Sequence, residues 1–329
     1  MDPFLFIVGY GRSGTTLVRA MFDAHPEMAV PDESYFLLEM SRRAGRYRGP
    51  RGLRTEVLLQ DLVGHPWFRR WRVPEGELRA AFAASEPADV ADALRTVYAL
   101  YARLQGKSRY GDKTPIYVVH LPRLAAFLPE ARFLHVVRDG RDVALSMVEQ
   151  PFGPTTLVGA AVGWRRAVLR ARRDGARLGP ERYREVRYED LVQDPVASLR
   201  PVCRLLGLPW DEAMLQYHQD ADRLLVDEAY RRRHRNLRRP PTGGLRDWRT
   251  QMAPRDLAVI EVLAGGLLSV LGYELSSEPR GPGVRLEAGW RWADAGVRRS
   301  VRWARGRFGR LRRRVREGLG RGRSSAAPV

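Results

Sequence analysis

Phe4-Leu5-Phe6-Ile7-Val8-Gly9-Tyr10-Gly11-Arg12-Ser13-Gly14-Thr15-Thr16-Leu17-Val18 reads as a short apolar strand, a glycine-rich turn with one cation, and a helix opened by two hydroxyl residues. Glycine lets the backbone take positive φ and approach a ligand closely. The N–H groups of a new helix, which have no partner within it, then converge on an anion. Gly9 and Gly14 keep the spacing of a Walker A loop, but Thr15 stands where the phosphate-gripping lysine belongs. The cation, Arg12, comes earlier, inside the loop. The stretch can hold a phosphate-like group and is badly built to hydrolyse ATP.

Outward from this stretch, three further strands are expected: Arg109–Gly111, Phe133–Val137 and Arg184–Tyr188. Helices are expected at Thr15–Ala24, Leu121–Phe127, Arg141–Glu149, Val158–Arg173, Pro195–Leu206 and Arg255–Leu271. Alternating strands and helices imply an α/β fold: a P-loop-type parallel sheet flanked by helices on both faces. Between residues 41 and 108 the pattern turns helical and rich in arginine and aromatics, including Trp67, Phe68, Trp71, Tyr98 and Tyr101. This segment reads as a helical insertion over the active site, on the acceptor side, with ordinary core packing as the alternative. The expected division is a body over 1–279 and a tail over 280–329.

The 329 residues carry a formal charge of +19, with 44% hydrophobic and 29% charged residues, the profile of a soluble globular chain. Fifteen arginines against Glu287, Asp294 and Glu317 give residues 280–329 a local charge of +12, which leaves the body only mildly basic. That tail sets Trp290, Val297, Val301, Phe308, Leu311 and Val315 at roughly helical spacing against an arginine face. Such a basic amphipathic segment suits an anionic membrane surface, and nucleic acid less well; a solvated extension is the plain alternative. One cysteine, Cys203, excludes an internal disulfide and reads as core packing. With no visible signal segment, the expected location is cytoplasmic, peripheral to the inner membrane surface if the tail binds lipid. Arginine is the default cation here, so Lys113 stands out, Lys107 being the other lysine.

A second anion signal follows Phe133–Val137, in Arg138-Asp139-Gly140-Arg141, with Ser146 about two turns into the next helix. Arg138 leaves a strand end, where open α/β sheets bind ligands, and guanidinium plus hydroxyl suits a second phosphate. The two motifs together resemble the sulfotransferases that use 3′-phosphoadenosine 5′-phosphosulfate (PAPS). The run Arg12 to Glu27 is similar to that of tyrosylprotein sulfotransferases and a related bacterial branch. The resemblance implies that Arg12, Ser13, Gly14, Thr15 and Thr16 hold the 5′-phosphosulfate and that Arg138 and Ser146 hold the 3′-phosphate. It places Tyr188, in Val186-Arg187-Tyr188-Glu189-Asp190-Leu191, near the nucleotide. It also implies that Gly244, Arg246 and Trp248, in a late glycine–tryptophan loop, close on it.

By the same resemblance Glu33 is the base for the acceptor hydroxyl, and Arg12 and Lys113 stabilise the transferring sulfonate. Asp32 is the neighbour that competes with Glu33, and a Pro-Asp-Glu-Ser run also reads as a helix start. Pro115 stands where cytosolic sulfotransferases carry a catalytic histidine, which favours Glu33. His120 and His135 read as unconnected with catalysis. Asp247 stands where some members place a lysine, leaving open whether Arg246 or Arg249 serves. The implied activity is sulfonate transfer from PAPS, with adenosine 3′,5′-bisphosphate (PAP) as product, a hydroxyl acceptor of unspecified class and no metal. The weighed alternatives are a P-loop kinase or NTPase, and a non-catalytic protein binding membrane or nucleic acid through its tail.

Overall fold

A computed structural model describes residues 2–50, 52–224, 228–241 and 246–298. It contains the strands β1 (Phe4–Val8), β2 (Met28–Ala29), β3 (Arg48–Gly49), β4 (Gly52–Leu53), β5 (Arg109–Lys113), β6 (Ala131–Val137) and β7 (Tyr183–Arg187). Five of them form one parallel sheet in the order β2-β5-β1-β6-β7, with Ile7 opposite Lys113 on one side and Leu134 on the other. β3 and β4 form a separate antiparallel hairpin.

Period-two alternation divides β1 between two cores. Phe4, Phe6 and Val8 join a cluster with Phe133, Tyr98 and Tyr117. Leu5 and Ile7 join another with Val18, Phe22, Leu134 and Val136. Both faces are therefore apolar, as a parallel sheet covered by helices requires. β1 lies at the centre, and the loops after β1, β5, β6 and β7 leave the same, carboxyl-terminal edge.

The expected helices at Thr15–Ala24, Leu121–Phe127 and Pro195–Leu206 form with those bounds, and the others shift by up to a few residues, running Gly140–Val148, Leu157–Leu178 and Pro254–Val270. Pro195–Leu206 shows why: Pro195 opens it, Asp194 caps it through the Ala197 N–H at 2.9 Å, and Gly207 ends it at φ 60°. The segment between 41 and 108 is helical over Thr55–Gly64, Pro66–Arg69, Glu75–Ser85 and Val90–Leu104. Cys203 is buried, its thiol 3.9 Å from the Met214 sulfur, and burial pushes that thiol up to about 11.

The chain forms two compact units, residues 1–139 with 166–246, and residues 140–165 with 247–329. In the second, the Glu261 carboxylate is buried and accepts from Arg141 at 2.6 Å, Arg280 at 2.7 Å and the Ser276 hydroxyl at 2.8 Å. Among the described residues, no helix is long and apolar enough to cross a membrane.

β5 carries a charge pattern that no buried strand advertises: Asp112 and Lys113 are both fully buried. Asp112 accepts from the Tyr98 hydroxyl at 2.7 Å, and burial pushes its carboxyl up to about 6. A folded-state value above the ordinary 3.8 means that the folded protein holds the extra proton between the two values. This contribution to stability is full below about pH 4 and lost as pH rises through about 6. Asp112→Asn should remove that slope. Between pH 4 and pH 7 the native chain should lose about 2–3 kcal/mol more urea stability than the variant. Parallel pH profiles for the two proteins would contradict the assignment.

Candidate active site

The loop after β1 is held in an unusual backbone. Arg12 takes φ 69° and Gly14 φ 97°, and Gly14 serves as N-cap of the helix Thr15–Ala24 with no side-chain cap. A side chain at Gly14 would collide with the Tyr188 ring, and a Cβ on Gly9 would lie 2.7 Å from the Val136 carbonyl oxygen. Close approach thus fixes both glycines, and at Gly14 positive φ adds to it. A non-glycine residue at positive φ is a strained choice that its surroundings must maintain. The Gly9 N–H donates to the Pro115 carbonyl at 3.3 Å, tying the loop to the end of β5. The Ser13 hydroxyl oxygen is buried with no hydrogen-bond partner among the described residues. An orphaned hydroxyl beside a helix N-terminus matches a cradle for an anionic group.

Across the same edge, Lys113 at the end of β5 is fully buried and donates to Glu33 Oε1 at 2.8 Å. Burial alone would push its ammonium down, but the Glu33 charge, with help from Asp32, more than offsets this and holds it above the ordinary lysine value. The residues around Glu33 are fixed from the next position. The Ser34 N–H donates to Thr114 Oγ1 at 2.9 Å, and the Tyr117 hydroxyl donates to the Ser34 carbonyl at 3.1 Å. Glu33 is partly open, with 17% of its side chain exposed, which an acceptor hydroxyl needs and a purely structural partner would not.

Asp32 differs from its neighbour. It is buried, accepts from Arg70 Nε at 2.6 Å, lies 3.8 Å from Arg19 and is held below the usual carboxylate range, Arg19, Lys113 and Arg70 outweighing the effect of burial. Its backbone carbonyl accepts from the Trp71 indole at 2.8 Å. Asp32 is committed to structure, which leaves Glu33 as the open carboxylate of the pair.

Arg138 leaves β6 with its guanidinium 4.7 Å from the Tyr188 ring centroid, and Tyr188 begins the helix Tyr188–Gln193. Tyr188 thereby touches Arg138 and would meet any side chain at Gly14, so one ring connects the two anion signals. Ser146 is buried in the second unit, on the helix Gly140–Val148. Trp248 is also in that unit and is buried; Arg141 lies 3.7 Å and Arg249 4.4 Å from its ring. Asp247, which stands where a lysine was sought, caps the helix Trp248–Gln251 by accepting from the Arg249 N–H at 3.0 Å. Gly244 lies outside the described residues, whereas Arg246 is described and closes the first unit.

Two residues at this edge have no sequence signal. Tyr230, on the helix Glu228–Arg233, is buried with its ring 6.0 Å from Lys113 Nζ, and its hydroxyl lies 3.5 Å from Arg19 Nη1. The His234 ring lies tilted against Tyr230 at 4.3 Å between centroids. Burial, then Lys113 and Arg12, push the His234 imidazole down to about 2, so it stays neutral at physiological pH. That depression records the field at this edge: the cations Arg12, Lys113, Arg233 and Arg19 all act on it. No motif flags a histidine in the run Arg231 to Arg235. His135 proves structural, bonded to the Tyr183 hydroxyl at 2.6 Å, and His120 to Arg42 at 3.4 Å.

A lysine-free phosphate cradle beside a buried lysine bonded to a part-open glutamate defines a nucleotide-dependent group transferase. A family model described as the sulfotransferase family matches residues 3–212, and the chain belongs to that family. It is a PAPS-dependent sulfotransferase, and nothing found supports the kinase or non-catalytic readings. It is 26% identical to protein-tyrosine sulfotransferase 1 of Danio rerio over 84% of this chain and 74% of that protein. To the protein-tyrosine sulfotransferase of Drosophila melanogaster it is also 26% identical, spanning only 53% of that longer chain. The sulfotransferase domain of the Synechococcus PCC 7002 olefin synthase superposes with a TM-score of 0.59 at 26% identity, over 84% of this chain and 96% of that one.

Arg138→Ala should weaken binding of adenosine 3′,5′-bisphosphate by about 1.5–3 kcal/mol, the value of a charge-assisted hydrogen bond. Binding of adenosine 5′-phosphosulfate should change far less. Equal losses for both ligands in titration calorimetry would remove Arg138 from the 3′-phosphate.

Proposed function

We propose that this chain moves a sulfonate from PAPS to a hydroxyl acceptor by in-line transfer, with Glu33 as general base and Arg12 and Lys113 stabilising the charge that develops. The observation that carries this reading is the 2.8 Å Lys113–Glu33 pair at the strand edge that also bears the β1 loop. The residues present fit the donor. Positive φ at Arg12 and Gly14, the orphaned Ser13 hydroxyl and the first-turn N–H groups of Thr15 and Thr16 suit its 5′-phosphosulfate. Arg138, beside the Tyr188 ring, suits the 3′-phosphate that separates it from ATP. When bound, the donor supplies the transferable sulfonate.

Each protein group then has a task that its own setting supports. Glu33 accepts the proton of the incoming hydroxyl, the step that makes the oxygen nucleophilic. Lys113, kept charged against its burial, offers its remaining N–H donors to negative charge building on the transferred group and leaving oxygen. Buried Tyr230 lines the same edge, beside a His234 imidazole held neutral. No metal is part of this reading; among the described residues no three His, Cys, Asp or Glu side chains converge to hold one.

For the acceptor, the part-exposed Tyr35 ring, two residues after Glu33, lies tilted 4.4 Å from the Trp67 ring, and Arg70 lies 5.3 Å from the Trp67 ring. Aromatic rings beside the base support an aromatic hydroxyl as acceptor, in keeping with relatives named for protein tyrosine.

Glu33→Gln keeps the shape and an acceptor oxygen for Lys113 but cannot take a proton. Its turnover should fall by roughly 10²-fold or more while the Kd for adenosine 3′,5′-bisphosphate moves by less than about threefold. Wild-type turnover in the variant would eliminate Glu33 as base. In thermal shift, adenosine 3′,5′-bisphosphate at about 100 times its Kd should stabilise the chain by about 2.7 kcal/mol, with ATP and ADP giving much less. Equal stabilisation by ATP would reverse the donor assignment.

A further inference from the structure

Residues 282–298 form a helix in the second unit, and its two faces are unlike. Val284 and Ala288 are buried on one side. From neighbouring positions Arg291 pairs with Asp256 at 2.5 Å, and Glu287 accepts from Arg255 at 2.6 Å, which fastens that side to the helix Pro254–Val270. At roughly 100° per residue, Leu286, Trp290, Ala293 and Val297 fall together on the opposite side. There Leu286 is 79%, Trp290 71% and Val297 63% exposed. Helix faces of soluble proteins ordinarily put such residues inward, so this stripe is inverted with respect to its own core.

The apolar spacing of this helix continues in the sequence. The same i, i+3/i+4 spacing runs on in the sequence through Val301, Ala304, Phe308, Leu311 and Val315. Between residues 299 and 323 stand eleven arginines against one acid, Glu317. We propose that the outward face of helix 282–298 docks this enzyme on the surface of an anionic lipid bilayer, the arginines of the following sequence adding positive charge. Aliphatic and indole groups on one line suit the boundary between headgroups and acyl chains, and the arginines suit phosphate headgroups. Charge decides against a second copy of this chain, since two such segments would repel. The aliphatic line decides against nucleic acid, which rewards cations and stacking rings and gains nothing from Leu286 or Val297.

The test uses the full chain and flotation with phosphatidylcholine vesicles, with or without about one-third phosphatidylglycerol. Anionic vesicles should carry the protein up, and neutral ones should bind it at least roughly tenfold more weakly. The triple variant L286S/W290S/V297S lies outside the catalytic edge. It should keep wild-type turnover on a soluble acceptor and lose roughly tenfold or more of its vesicle affinity. Indifference to the anionic lipid, or a triple variant that binds anionic vesicles as tightly as the native chain, would overturn the proposal. So would tighter binding to a DNA duplex than to the vesicles, or a dimer in light scattering that the triple variant abolishes.

Discussion

A lysine with no surface in water must be given a counter-charge, and the active edge is arranged around supplying one to Lys113. Removing one partner of a buried pair costs about 3–5 kcal/mol, so Lys113 and Glu33 position each other. The cost is accepted where the charge serves a purpose. Lys113 sits at the end of a central strand, between the β1 loop on one side and β2 on the other. Glu33 reaches it because Ser34, one residue on, is bonded to Thr114, one residue past the lysine. The pair therefore joins the β5 strand end to the segment that opens the acceptor side.

Around that pair the protein concentrates positive charge without a P-loop lysine. Arg12 is held in a strained backbone, Arg138 rests on the ring that crowds Gly14, and Arg19 and Arg70 neutralise Asp32. An edge with more cations than carboxylates is stabilised when an anion arrives. Burial and the neighbouring cations hold His234 neutral there. Such a site favours ligands that bring several negative charges at once. The second unit repeats the principle with the opposite sign: one buried carboxylate, Glu261, gathers Arg141 and Arg280. Arg141 then packs on Trp248, so it is committed to the interior of this unit.

Much of this was legible in the chain. β1 and its helix were readable because their apolar period and glycine turn are local signals that tertiary packing only reinforces. Pro195–Leu206 carried its own start and stop. β2 was not, since two residues paired at a sheet edge make no pattern. β5 was read short because Asp112 and Lys113 look like a turn until Tyr98 and Glu33 arrive from distant segments. Tyr230 and His234 sit in an arginine run whose bulk charge hides them.

Sequence alone determined the cradle, the missing lysine and the second anion signal. Each depends on backbone freedom and residue type within a few neighbouring positions, and such local rules survive in a linear string. Only the tertiary structure distinguishes buried, arginine-paired Asp32 from part-open Glu33, since adjacent carboxylates differ only in what folds against them. It likewise turned the terminal stripe outward, because which side of a helix is buried depends on the helix beside it.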